Sequence, residues 1–126
     1  MSREDVEVVR RLFAAVDAED WEAALGSFAP EVEWSPLEGN FRGLQGVIEA
    51  LVEWLEPWEE HTIEAEEVAE VGHRVLAVVH LTGRGAGSGL EIDQRFFQIY
   101  AVRDGRIVRM TEFGTRAEAL EAAASP

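Results

Sequence analysis

The first half of the chain carries apolar residues at helical spacing in three separate segments. The first stripe runs over residues 6–16 and predicts an amphipathic helix. Asp20, a residue type that caps helices, starts a second and shorter stripe, and Pro30 ends it. A third stripe covers residues 44–55 and stops before a proline. We therefore predict three helices before the middle of the chain.

The pattern then changes to that of strands. Residues 31–34 alternate polar and apolar side chains and predict a short early strand. Residues 61–70 predict a further strand with interrupted alternation, and residues 74–82 are nearly continuously apolar, as in a central strand. A long hairpin occupies residues 90–113, and Thr115 opens a short, alanine-rich last helix. Helices followed by an antiparallel meander indicate the α+β class.

The hairpin turns at Asp104-Gly105, a strong hairpin signal between apolar runs. We predict a three-residue loop over residues 103–105, with Gly105 in the left-handed conformation and a bulge beside it. This register sets Gln98 opposite Met110 and gives the hairpin one apolar face with polar groups far from the turn. That face would carry Phe96, Gln98, Tyr100, Val108, Met110 and Glu112. We interpret it as the wall of a small-molecule pocket.

The opposite face of the hairpin has a different composition. In the predicted register it presents two arginines beside three apolar side chains, which suits a homodimer interface better than a pocket. These residues are Arg95, Phe97, Ile99, Ile107 and Arg109.

Length and charge restrict the remaining possibilities. The 126 residues fit one domain, spanning positions 1–126. A net charge of −14, with 11 basic residues that are all arginine, disfavours nucleic acid and anionic membrane surfaces as partners. Without cysteine or a closely spaced histidine pair, no metal site is expected. The absence of a signal peptide or apolar span favours a cytoplasmic protein.

Two titratable residues are the candidates for catalysis. Glu112 lies on the predicted pocket face, where an aromatic environment would raise its pKa and allow it to act as a general base. Its alternative role is a salt bridge. His80 interrupts a valine-rich strand and shares a face with Leu76 and Val78. It is either a pocket acid or base or a histidine that satisfies its hydrogen bonds in the core or at its rim.

Four further residues are candidates for ligand contact. Gln98 can donate and accept hydrogen bonds but cannot do acid–base chemistry, so it suits orienting a carbonyl or hydroxyl group. Trp34, Phe96 and Met110 would supply apolar wall, although core packing is the more frequent role of such side chains. The glycine-rich stretch 83–89 lacks the features of a phosphate loop and is interpreted as a flexible hairpin connection.

Motifs spread over almost the whole chain resemble those of SnoaL-like proteins in the NTF2-like superfamily. They are Val9-Arg10-Arg11-Leu12-Phe13, Asp20-Trp21, Phe28 to Trp34, Phe41-Arg42-Gly43, Gly83-Arg84-Gly85, Arg103 to Val108 and Ala117 to Ala122. The resemblance implies an NTF2-like cone of three N-terminal helices in the concave face of a curved, mostly antiparallel sheet. It also implies a pocket between helices and sheet, and a dimer through the outer sheet face.

The superfamily includes polyketide cyclases, ketosteroid isomerases, epoxide hydrolases and non-catalytic binding domains, so fold alone does not assign an activity. The positions of the ketosteroid isomerase base, tyrosine and aspartic acid correspond here to Pro36, Leu12 and Gln98. Isomerase activity of that type should therefore be absent. The pocket aspartate of limonene epoxide hydrolase matches Glu112, whereas its arginine and second aspartate correspond to Val78 and His80.

Three hypotheses follow from the sequence. The first is a cofactor-free enzyme that cyclises, isomerises or hydrates a small apolar carbonyl or hydroxyl compound, with Glu112 and His80 as the acid–base pair. The second is a non-catalytic domain that binds an apolar ligand in the same pocket. The third is a dimeric scaffold with an incidental cavity. No cofactor is implied under any of them.

Overall fold

A computed structural model describes residues 2–124 and shows a curved, open, six-stranded sheet with helices packed on it. The α+β class predicted from the sequence is confirmed. The elements in chain order are α1 (Ser2–Asp17), α2 (Trp21–Gly26), β1 (Phe28–Ser35), β2 (Phe41–Arg42), α3 (Gly43–Leu55), β3 (Trp58–Val71), β4 (Arg74–Gly85), β5 (Glu91–Arg103), β6 (Arg106–Phe113) and α4 (Arg116–Ala124). Within residues 2–124 no helix is long and apolar enough to cross a bilayer.

The strands lie in the order β2-β1-β6-β5-β4-β3. The predicted antiparallel meander corresponds to β3 through β6. Strand β1 joins it by pairing in parallel with β6, and it is longer than predicted, because it starts at Phe28 and contains Pro30. Its pairing with β6 is irregular between Phe28 and Glu33, and such an irregularity tolerates a residue without an N–H.

The main core lies between the three N-terminal helices and one face of the sheet. Alternation along the strands sends every second side chain to this inner face. In β4 the inner residues are Val75, Ala77, Val79 and Leu81, all nearly inaccessible to solvent. Asp20 accepts a hydrogen bond from the Ala23 backbone nitrogen at 3.2 Å, so it caps α2 as predicted.

The turn of the β5–β6 hairpin differs from the prediction. Arg103 pairs with Arg106, so the loop has only two residues, and Asp104 and Gly105 have φ angles of 52° and 78°. Two consecutive positive φ angles match the right-handed twist of the flanking strands. The bulge occurs later, at Val108, because Val102 pairs with Ile107 but Ala101 pairs with Arg109.

The displaced bulge changes which residues face the core. Ile107 is fully buried in the main core, whereas the prediction placed it on the outer face and Val108 on the inner one. Beyond the bulge the register is displaced by two residues from the predicted one. Gln98 therefore lies opposite Glu112, and Tyr100 lies opposite Met110. A displacement of two residues preserves the face, so these four side chains still share the inner side.

Helix α4 covers part of the outer sheet face. The second apolar cluster consists of Leu76, Val78, Ile99, Ala119 and Ala123. Arg116 holds the start of α4 on β3 through two hydrogen bonds of 3.1 Å to the Glu67 carboxylate. Leu120, the largest apolar residue of α4, is exposed, and the small residues Ala119 and Ala123 allow the close approach of the helix to the sheet.

The covering of this face bears on the predicted dimer interface. Ile99 belongs to the cluster that includes α4 and Phe97 packs against it, whereas Arg95 and Arg109 are exposed. The homodimer itself stays a prediction, and sedimentation at micromolar concentration would test it.

We expect Ala119→Asp to lower the free energy of unfolding by about 2 kcal/mol or more, because the carboxylate would either be buried without a partner or detach α4. The matched change Leu120→Asp, one residue along the same helix, should cost less than about 0.5 kcal/mol since Leu120 is exposed. Denaturant unfolding measures both. Equal losses in the two variants would contradict the observed docking of α4.

Candidate functional site

Two adjoining cavities lie between the helices and the inner face of the sheet. The larger has a volume of about 710 Å³ and the smaller about 330 Å³. Four side chains line both cavities and therefore form the boundary between them: Trp34, Leu51, Trp54 and Gln98. Of these four, only Gln98 carries an amide that can serve a ligand in either cavity.

The larger cavity is lined almost entirely by apolar side chains from α1, α2, α3 and the sheet. All four tryptophans of the chain contribute to its wall: Trp21, Trp34, Trp54 and Trp58. Trp21 and Val52 are 44% and 56% exposed, so the cavity has an apolar rim that reaches solvent. Its polar lining includes Gln98 and Tyr100 on β5. Such a lining favours an apolar ligand with its few polar atoms directed at the sheet.

The smaller cavity contains the one carboxylate on the inner face of β6, Glu112. Trp34 from β1, Phe96 from β5 and Trp54 from α3 form its aromatic walls, with the Phe96 and Trp54 rings in edge-to-face contact at 5.9 Å. The loop that follows β1 covers it, and Leu37 of this loop lies over Glu112.

A chain of hydrogen bonds links the two cavities. The Tyr100 hydroxyl donates to Gln98 Oε1 at 2.6 Å, and Gln98 Nε2 donates to Glu112 Oε2 at 2.8 Å. The Leu37 backbone nitrogen donates to the other carboxylate oxygen of Glu112 at 3.2 Å. Register explains the middle link, since Gln98 and Glu112 are directly opposite each other on neighbouring antiparallel strands.

Burial dominates the electrostatics of this chain. Removal from water raises the pKa of Glu112, and the hydrogen bonds from Gln98 and Leu37 offset part of that effect. The pKa of Tyr100 lies well above its usual value, because the hydroxyl is buried and the Glu112 charge is near. Tyr100 is therefore a neutral hydrogen-bond donor at neutral pH. Glu112 has the property of a general base, a carboxylate whose affinity for protons is increased.

The raised pKa of Glu112 also predicts a pH dependence of stability. Its contribution to folding is fully present below the unfolded value of 4.5 and is lost as pH rises through the higher folded pKa. Glu112→Gln lacks this titrating group, so we expect the variant to be free of this loss. The unfolding free energy of the variant minus that of the parent should therefore increase from pH 4.5 to neutral pH. Denaturant unfolding across this interval measures the difference. A difference that is independent of pH would contradict a raised pKa.

The structure brings four of the six predicted site residues together. Trp34, Phe96, Gln98 and Glu112 all line the smaller cavity. Met110 is on the same face but is fully buried in the main core, and it is absent from the lining of both cavities. Met110 is paired with Trp34 on one neighbouring strand and with Tyr100 on the other, so it packs beside two residues of the cavity wall.

His80 is separated from the other predicted residues by the sheet. It shares a face with Val78, as predicted, but that face is the outer one, because Val79 and Leu81 point to the main core. The predicted acid–base pairing of His80 with Glu112 is therefore not formed. The alternation of β4 predicted which of these residues share a face, but it could not indicate which face the three N-terminal helices cover.

On the outer face, His80 lies between two carboxylates. Its Nε2 is 2.5 Å from Asp93 Oδ1, and its Nδ1 is 3.4 Å from Glu66 Oε2. Glu66 in turn accepts hydrogen bonds of 2.6 Å and 3.1 Å from Arg95. Glu66 occupies the irregularity between Ala65 and Glu67 where the sequence showed interrupted alternation. These contacts match the alternative role given to His80, that of a histidine whose hydrogen bonds are satisfied by its neighbours.

Three contributors to the site were not identified from the sequence. Trp54 lies on α3 and lines both cavities. Tyr100 was assigned to the pocket face without a role, and the hydrogen bond that it donates depends on its neighbour two residues away on the strand. The Leu37 donor is a backbone group, which no side-chain pattern can reveal.

Comparison with known proteins identifies the family. A family model for the SnoaL-like domain matches residues 9–110. The chain is also 34% identical over 116 residues to uncharacterized proteins of Mycobacterium tuberculosis and Mycobacterium bovis, covering 86% of this chain and 87% of each relative. The chain belongs to the SnoaL-like family, and the resemblance stated from its motifs is confirmed.

Solved structures share the fold at lower sequence identity. TerC, co-crystallized with polyporic acid, has a TM-score of 0.77 at 22% identity and covers 97% of this chain and 99% of its own. Bal32a, from a soil-derived mobile gene cassette, has a TM-score of 0.81 at 16% identity with 98% of both chains covered. A putative SnoaL-like polyketide cyclase from Jannaschia sp. CCS1 has a TM-score of 0.78 at 22% identity, covering 99% and 95%. These likenesses show the NTF2-like fold.

Proposed function

We propose that the protein binds an apolar carbonyl or hydroxyl compound in the paired cavities and that Glu112 transfers a proton to and from it without a cofactor. The observation that carries this proposal is a half-buried carboxylate of raised pKa on the wall of an aromatic cavity. Apolar pockets with a few convergent polar groups and a perturbed titratable residue are typical of active sites.

The shapes of the two cavities define the ligand further. The smaller cavity suits the reacting carbonyl end, next to Gln98 and Glu112, and the larger suits an apolar body. Glu112 is the least exposed charged group that lines the smaller cavity, because it is half-buried whereas Glu38 and Glu53 are exposed at the edge. An anionic ligand would meet three carboxylates there, so a neutral ligand is favoured.

The proposed step is proton abstraction next to a carbonyl. The Glu112 carboxylate takes the proton, the electron pair of the C–H bond forms the carbon–carbon double bond of an enolate, and the carbonyl π pair moves to oxygen. When neutral Glu112 exchanges its proton with solvent and protonates the same carbon, the result is hydrogen exchange. When Glu112 delivers the proton to another carbon of the enolate system, the result is isomerisation. Gln98 is already hydrogen-bonded to Glu112 through one N–H, and its second N–H can donate to the ligand oxygen.

Three proteins of the same fold bear on the class of ligand. TerC was crystallized with polyporic acid, and the chains from Jannaschia sp. CCS1 and Sinorhizobium meliloti are described as putative polyketide cyclases. Those descriptions belong to those proteins. The two putative polyketide cyclases support a carbonyl compound as the first ligand to test here, and the three carboxylates of the smaller cavity favour a neutral one.

A non-catalytic binding domain is the second candidate, and one observation favours it. A reaction that needs a separate acid besides Glu112 finds none in the smaller cavity, because His80, the predicted acid, lies on the other face of the sheet. If the protein only binds, the tryptophans in the cavity wall would report binding but no proton would be exchanged.

One experiment distinguishes these functions. β-Tetralone is a neutral, bicyclic aromatic ketone with acidic C–H bonds between the ring and the carbonyl. We expect it to quench the tryptophan fluorescence, because all four tryptophans line the larger cavity, and to exchange its acidic protons in deuterium oxide faster with the protein than without it. Quenching without accelerated exchange would favour the binding domain. The absence of both quenching and accelerated exchange would contradict both functions.

A further inference from the structure

Gln98 can present either end of its amide to Glu112, and the choice decides which protonation state of Glu112 is stabilised. An N–H directed at the carboxylate favours the ionised form, whereas a carbonyl oxygen would favour the neutral acid, which can donate to it. In the structure the nitrogen faces Glu112 at 2.8 Å. The strand register alone cannot select this orientation, because rotation of the amide exchanges its two ends.

Tyr100 supplies the selection. Its hydroxyl is fully buried and reaches Gln98 Oε1 at 2.6 Å. A phenol that is neutral at neutral pH has one proton to donate, and among the described residues Gln98 is the partner placed to accept it. If the amide turned, the Tyr100 proton would face an NH₂ group, and a buried donor without an acceptor is costly.

We propose that Tyr100 is a positioning residue that fixes the Gln98 amide with its nitrogen toward Glu112 and thereby holds Glu112 in its proton-accepting form. This role rests on the proposed function for its benefit to catalysis. The arrangement itself is a property of the free protein and can be tested without substrate. The titratable groups facing Glu112 are Tyr100 on β5, Glu38 in the loop after β1 and Glu53 on α3.

Tyr100→Phe removes the hydroxyl and keeps the ring, which makes edge-to-face contacts with Phe13 and Trp34 at 6.4 Å and 6.3 Å. In this variant the Gln98 amide can turn and accept a hydrogen bond from neutral Glu112. We therefore expect the titration midpoint of Glu112, followed by carboxyl-carbon NMR with labelled glutamate, to move to higher pH. Glu112→Gln identifies the signal by removing it.

A double-mutant cycle tests whether Tyr100 acts through Gln98. In a Gln98→Leu background, where no amide remains to be oriented, Tyr100→Phe should leave the Glu112 midpoint unchanged. An unchanged midpoint in the single Tyr100→Phe variant would overturn the proposal. A displacement of equal size in the Gln98→Leu background would also overturn it, because it would show a direct effect of Tyr100.

The pH profile of β-tetralone exchange provides the readout of the catalytic benefit. Tyr100→Phe should slow exchange roughly three- to tenfold at pH values below the displaced midpoint and should recover the parent rate well above it, as expected for losing one oriented hydrogen bond. Equal slowing at all pH values would indicate a merely structural role and overturn the proposal. If the parent itself exchanges no protons, the proposed function fails, and the Glu112 titrations still decide the role of Tyr100.

Discussion

Glu112→Gln is expected to slow protein-dependent proton exchange of β-tetralone by roughly 100- to 10,000-fold, the usual contribution of a positioned general base. Glutamine has nearly the same shape and can still accept a hydrogen bond from Gln98, but it cannot accept a proton at neutral pH. Tryptophan quenching should persist in the variant, because the walls of the larger cavity do not include Glu112.

The matched control for this variant is Glu53→Gln, which neutralises an exposed carboxylate on the edge of the same smaller cavity. It changes the net charge by the same amount and should leave the exchange rate within about twofold, since a solvated charge is screened. Comparable losses in both variants would point to a general electrostatic effect on the cavity. Full activity in Glu112→Gln would exclude Glu112 as the base.

Ile107→Ala is expected to lower the free energy of unfolding by about 2–4 kcal/mol, the usual cost of truncating a buried aliphatic side chain. Ile107 is completely buried in the main core just after the turn, so its removal leaves a cavity that the two paired strands cannot easily close. Denaturant unfolding measures this loss, provided that the slope of the unfolding free energy against denaturant concentration is the same in variant and parent.

Val108→Ala is the control, because Val108 is the extra residue of the bulge and lies half-buried on the other side of the strand. Its truncation should cost less than about 1 kcal/mol. The register predicted from the sequence requires the opposite order, with Val108 in the core and Ile107 outside. A larger loss from Val108→Ala would therefore restore that register and contradict the observed one.

The hairpin shows how far the sequence determines the site. Period-two alternation placed Gln98, Tyr100, Met110 and Glu112 on one face, and the structure confirms this. The predicted pairing beyond the bulge was wrong by two residues, and an even displacement leaves each side chain on the same face. The exact partners were wrong, since Asp104-Gly105 supports both two- and three-residue loops. A choice between them depends on packing in the rest of the sheet, which local sequence does not contain.

His80 shows a different limit. The sequence correctly grouped it with Leu76 and Val78, but a strand as apolar as β4 looks buried on both faces. The face covered by α4 and the face covered by the other helices cannot be distinguished from such a strand alone. The alanine-rich α4 added to the ambiguity, since its buried residues Ala119 and Ala123 give almost no amphipathic pattern.

The most direct test of the proposed chemistry is the titration of the Glu112 carboxyl carbon by NMR in the parent protein, with and without β-tetralone. We predict a midpoint above the ordinary glutamate value of 4.5 in the free protein and a change in the Glu112 signal when the ketone binds. A midpoint at or below the ordinary value, with a signal that saturating ketone leaves unchanged, would contradict the assignment of this half-buried carboxylate as the base of a ligand pocket.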